Sequence, residues 1–193
     1  MNRERVIFWV KILNALDLIA IALVLLIAFA MQLLMSELPC PLCLLQRIGL
    51  IAIGFGFLLN VRYHIRTSHY ALSLLAAVFT AFASMRQILL HIAPGDGGYG
   101  SPIFGLHMYT WVFIMAMLAI IYIATVMSWP AQYVLSKTHS EERDELRTPW
   151  ARNLCHIAFA VFFIATLANT FSTFKECGLK ECPDNPTTYV HSI

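Results

Sequence analysis

Residues 38–49 read LPCPLCLLQRIG: two thiols two residues apart, with an arginine four positions beyond the second, at the head of an otherwise apolar stretch. A second pair, Cys177 and Cys182, stands in the C-terminal KECGLKECPDNP. Three chemistries use such residues. Zinc takes closed tetrahedral thiolate ligation, which the two pairs together could supply, but neither pair has compact flanking ribbons. A static disulfide across CPLC would close a very short ring and gain little from loop closure. A redox pair alternating between dithiol and disulfide is the reading these spacings favour. Cys155 is isolated in an apolar stretch and reads as a small buried hydrophobe.

Cys43 and Arg47 are four apart, so on a helix they share one face, one turn from each other. Cys43 also falls at that helix's N-terminal end, where free N–H groups and the dipole favour an anion. Both effects stabilise the thiolate, the reactive form of the sulfur. A permanent cation so near hydrocarbon is costly and usually functional. An apolar oxidant that gains negative charge as it accepts electrons, such as a quinone, would meet its counter-charge there. The competing reading is an Arg47 that only snorkels to lipid head groups.

These residues need long helices to hold them, and the composition supplies helices suited to lipid. Of 193 residues, 59% are hydrophobic and 12% charged, with a mean hydropathy of +0.70. Soluble domains carry about 25% charged residues. The net charge of +2 is too small to point to nucleic acid, and no aromatic-basic stripe does so either. A spanning helix takes ~20 mainly apolar residues. Stretches 12–35, 42–61, 69–92, 106–128 and 153–173 qualify, which predicts a single all-α membrane domain with a C-terminal tail over 174–193. Asn14 and Asp17 lie near the start of the first stretch, where polar groups can reach the interface, while Asn153, His156 and Asn169 dilute the fifth.

Orientation follows from lysine and arginine. With the N-terminus cytoplasmic, Arg3, Arg5, Lys11, Arg62, Arg66, Lys137, Arg143, Arg147 and Arg152 fall inside; Lys175 and Lys180 fall in outer segments. The C-terminus is then outside. MNRERVIFWVK resembles the basic start of a signal peptide, but the apolar run exceeds the usual 7–15 residues and no A-x-A-like site closes it, so helix one is expected to stay. Residues 136–152 are expected to form a cytoplasmic loop, part helical, whose mixed charges make a solvated face. This topology gathers four of the five cysteines on the outer side, the periplasm of a Gram-negative bacterium, where disulfides persist.

CPLCLLQR, 40–47, at the start of a second membrane helix resembles the signature of the DsbB family, inner-membrane proteins that reoxidise the periplasmic dithiol oxidase DsbA and pass electrons to ubiquinone or menaquinone. The likeness covers roughly residues 5–130 and includes RQILLH, 86–91. It implies that Cys43 contacts the quinone ring, that Cys40 exchanges with a second disulfide, and that Arg47 holds the quinone and favours its reduced state. Arg86, Gln87 and His91 resemble family residues near the quinone pocket; for His91 a plain interfacial histidine is an equal reading.

The second cysteine pair of that family usually lies in the outer loop between helices three and four. Here that loop reads APGDGGYGSPIFGLHMYTW, without cysteine, with Tyr109 and Trp111 expected as interface anchors. Cys177 and Cys182, delivered by a fifth helix, are therefore expected to be the relay pair on a short flexible tail; a tail staple that exchanges no electrons is the alternative. The resulting expectation is a membrane thiol:quinone oxidoreductase whose partner is a thioredoxin-like dithiol protein. A vitamin K epoxide reductase-like enzyme is a rival, though its active CxxC comes late in the bundle. A membrane assembly factor with structural disulfides is the non-enzymatic rival.

Overall fold

The computed structural model describes residues 3–35, 37–133, 148–178, 180 and 182. The basic residues Lys137, Arg143 and Arg147 and most of the expected 136–152 loop lie outside the described residues, as does the tail beyond Cys182. Within them the chain is all helical: α1 (Arg3–Met35), α2 (Pro41–Arg62), α3 (Thr67–Leu90), α4 (Met108–Met127) and α5 (Pro149–Cys177), with a 3-10 turn at Pro130–Gln132. All five helices are long and apolar enough to cross a membrane.

Local sequence explains the helix ends. Pro41 and Pro149 occupy first-turn positions of α2 and α5, where their missing N–H is no loss. Gly178 closes α5 with φ +61°, a conformation open to glycine, and its N–H donates to the Phe174 carbonyl at 2.8 Å. α1, α2 and α5 outrun their expected spans, whereas α4 falls two residues short at its start and one at its end. At 33 residues α1 is about 50 Å long, well beyond the ~30 Å of hydrocarbon.

α2 packs along α3 and against α1, α3 packs along α4, and α1 packs along α5, while α2 makes lighter contact with α5. Small residues on α2 set these distances. A side-chain carbon at Gly56 would collide with Ser73 Oγ and the His69 carbonyl, and one at Gly54 would collide with the Phe162 ring of α5. The close approach lets Ser73 Oγ donate to the Ile53 carbonyl at 2.7 Å. Membrane helices associate through such small-residue contacts and hydrogen bonds, because lipid is as apolar as their side chains.

At the end of the bundle remote from Cys40, two expectations need correction. Asn14 does not reach an interface: it is buried, donates to Tyr70 Oη at 2.8 Å, and accepts from Asn60 Nδ2 at 3.0 Å. Asp17 accepts from Tyr122 Oη at 2.7 Å instead of facing water. Lys11 is buried as well, because α1 begins at Arg3 and has already made two turns by that point. Polar groups that cannot be solvated in lipid pair across helices.

Candidate functional site

Cys40 is the N-cap of α2, in extended backbone, and its Sγ accepts the Cys43 N–H at 3.2 Å. Helix geometry therefore turns both sulfurs toward the first turn of α2, as the C-x-x-C spacing requires. Gln87, buried on α3, bridges them: its Nε2 lies 3.2 Å from Cys40 Sγ and 3.4 Å from Cys43 Sγ. Gln46 fixes that amide by donating to Gln87 Oε1 at 2.7 Å. The hydrogen bond with Cys43, followed by burial, pushes the Cys40 thiol well above its usual range. Cys40 and Cys43 are a free dithiol, whereas Cys177 and Cys182 are joined in a disulfide.

Arg47 is 9% exposed and turned into the bundle, which excludes the snorkelling geometry. Its guanidinium donates to Gln32 Oε1 at 2.8 Å and to the Ala28 carbonyl at 3.1 Å. Gln32 in turn donates to Ser172 Oγ at 2.7 Å, so one hydrogen-bonded chain joins α2, α1 and α5. Cys43 and Arg47 line a shared cavity whose apolar wall includes Met31, Leu50, Met108 and Val112.

The 91–107 segment covers this cavity. Tyr99 Oη donates to the Leu38 carbonyl at 2.5 Å, and Ser101 donates to the Glu37 carboxylate through N–H at 3.1 Å and Oγ at 2.5 Å. Burial, then the nearby Cys40, Cys43, Glu176 and Glu37, pushes the Tyr99 phenol above its ordinary range. Asp96 accepts from the Gly98 N–H at 2.9 Å and meets His91 Nδ1 at 3.2 Å; these bonds hold its carboxyl below the usual range.

The residues expected at the site are distributed unevenly. Cys40, Cys43, Arg47 and Gln87 come together. Arg86 is exposed on α3 and does not line the cavity, because its neighbour Gln87 takes the inward face. His91 caps α3 and stacks 5.8 Å from Tyr109. Tyr109 is no interface anchor: it is buried, lines the cavity, and stacks on His107 at 5.3 Å as well. Trp111 ties down the covering segment by donating to the Ile103 carbonyl at 3.0 Å. The expected flexible tail is also corrected. Cys177 is buried in the last turn of α5, so no loose tether precedes it. Gln32, Gln46, Tyr99 and Glu37 escaped sequence reasoning; Gln46 alone had a signal, its place inside CPLCLLQR.

The family model of disulfide bond formation protein DsbB matches residues 10–99. The chain carries a DsbB-family domain over those residues. Neither a curated protein nor a solved structure matched it. The matched stretch holds α2, α3, most of α1, the CxxC, Arg47 and Gln87, and stops inside the covering segment. With a DsbB-family domain and five apolar helices, it is a multi-pass membrane oxidoreductase of disulfide bond formation. Helix α5 and the Cys177–Cys182 disulfide lie beyond the matched residues.

Proposed function

We propose that this chain is a thiol:quinone oxidoreductase of the bacterial inner membrane, which reoxidises a periplasmic DsbA-like dithiol protein and passes the electrons to ubiquinone or menaquinone. One observation carries the reading: Cys43 and Arg47 open into one cavity of apolar walls, with Cys40 held against Cys43 by Gln87. Those walls, the Tyr109 ring and a single buried cation suit a flat apolar acceptor that becomes anionic on reduction. The quinone, when bound, supplies the acceptor for two electrons. Arg47 holds and charge-balances it, Cys43 faces it, and Cys40 completes the disulfide.

Orientation rests on charge. Arg5, Arg62, Arg66 and Arg152 cluster at the end remote from the thiols and lie in the cytoplasm, which puts the CxxC and the α5 disulfide on the periplasmic side. Cys182 is the more exposed sulfur of that disulfide and receives the attacking thiolate of the partner, as thiol–disulfide exchange requires an accessible sulfur. The partner's second thiol resolves the mixed disulfide and leaves as part of the partner's own disulfide. The resulting Cys177 and Cys182 dithiol reduces the Cys40–Cys43 disulfide once the last turn of α5 opens.

Purified protein given a reduced DsbA-like partner and a short-chain ubiquinone reduces the quinone; an assembly factor with structural cysteines does not. Cys177→Ser abolishes partner oxidation while added quinone still oxidises Cys40 and Cys43. If Cys177→Ser oxidises the partner at the normal rate, the tail pair is structural and Cys40–Cys43 serves the partner alone.

A further inference from the structure

Three carboxyl side chains stand at the thiol end among the described residues: Glu37, Asp96 and Glu176. Two are committed to the covering segment, Glu37 through Ser101 and Asp96 through Gly98 and His91. Glu176 is different. It is 0% exposed, and neither carboxyl oxygen has a hydrogen-bond partner among the described residues. It lies one residue before Cys177 in the last turn of α5, yet its electrostatic neighbours belong to the cavity: Arg47 and Cys43 on α2, and Tyr99 in the covering segment. α1 presents only the neutral Gln32 here, bonded to Arg47 and to Ser172 one turn before Glu176.

A buried carboxylate without hydrogen bonds is costly to keep charged, and a buried carboxylic acid much less so. Folding alone does not require such a group; a glutamine or leucine would fill the site without that cost. The chemistry beside it does move protons. Oxidising the Cys40–Cys43 dithiol breaks two S–H bonds, forms one S–S bond, and releases two electrons and two protons; reducing a quinone to a quinol consumes the same two electrons and two protons.

We propose that Glu176 carries one of these protons, donating it as the neutral acid to the quinone oxygen beside Arg47 and then regaining one from the dithiol, while the second exchanges with water at the covering segment. The proposal rests on the thiol:quinone reading above. Glu176 ends each turnover in the protonation state in which it began. Arg47 fits this role: as a neutral acid, Glu176 leaves the cation for the reduced acceptor. As a carboxylate, between giving up the proton and regaining it, Glu176 lies within the field of the cation.

The test is steady-state quinone reduction by the full-length protein in detergent, with a reduced DsbA-like partner and a short-chain ubiquinone, from acid to alkaline pH. Glu176→Gln, which keeps the shape, lowers kcat at least tenfold and flattens its pH profile, whereas the apparent KM for the partner stays within about twofold. Glu176→Asp retains a pH-dependent limb. Infrared difference spectra of the wild type on quinone addition show a carboxyl C=O band that moves in Glu176→Asp, and this reads the proposal even if Glu176→Gln does not fold. Wild-type kcat and pH profile in Glu176→Gln, or no such band in the wild type, overturn the proposal alone. A wild type that reduces no quinone overturns the thiol:quinone reading and the proposal with it.

Discussion

Gln87 and Arg47 show how few side chains define the site and how differently each contributes. Gln87 touches both sulfurs and is itself held by Gln46, so it orients the dithiol without adding charge. Arg47 is the cation inside the cavity, held from behind by Gln32 and the Ala28 carbonyl. A hydrogen bond to a charged group contributes about 1.5–3 kcal/mol. Arg47→Gln should therefore raise the apparent KM for quinone roughly 10- to 100-fold, with exchange between the protein thiols and the reduced partner little changed. His91→Ala should have the smaller effect, since His91 acts through its stack on Tyr109 and its bond to Asp96. A normal quinone KM in Arg47→Gln would remove the cation from quinone binding altogether.

Elements matter here chiefly through how closely they approach. α2 lies between α1 and α3, and its CxxC is aimed correctly only if Gln87 on α3 reaches the sulfurs. Further along the same helix pair, the α2–α3 distance is set at Gly56, where Ser73 and the His69 carbonyl stand against the bare backbone. Gly56→Ala adds a carbon into a filled space, an overpacking that costs about 1–3 kcal/mol. The expected outcome is a lower unfolding midpoint in detergent, together with faster alkylation of Cys43 as Gln87 is drawn away. An unchanged midpoint would mean that α2 and α3 can slide apart without loss. α5 matters in another way: by continuing to Cys177, it makes the second cysteine pair part of a packed helix end, not of a free tail.

At the scale of the whole molecule, the polar groups separate into two ends. One end holds the thiols, Arg47, Glu176 and the covering segment; the other holds the Asn14, Tyr70, Asn60 and Gln132 network, with Arg62, Arg66 and Arg152 nearby. On the proposed topology, five spanning helices leave the two termini on opposite sides of the membrane. An alkaline phosphatase fused after residue 190 should therefore be active in the periplasm, and one fused after Arg66 inactive, if the positive charges set orientation. An inactive fusion after residue 190 would place the Cys177–Cys182 disulfide in a reducing compartment and remove it from any periplasmic relay.

By itself the sequence determined what is local. Apolar length predicted all five helices, and the four-residue spacing put Cys43 and Arg47 on one face of α2. Basic residues gave the orientation argument, and CPLCLLQR pointed to the family. What the tertiary structure decided is which distant residues meet. Gln32, Tyr99 and Glu176 come from separate segments, and nothing in their own neighbourhoods marks them as partners of Cys43 or Arg47. The same holds for Asn14 and Tyr109, which stand near helix ends in the sequence and look interfacial until packing buries them. The reason is physical. In lipid, hydrophobicity tells a helix to span but not which face to turn toward a neighbour, so small residues and polar pairs from elsewhere in the chain make that choice.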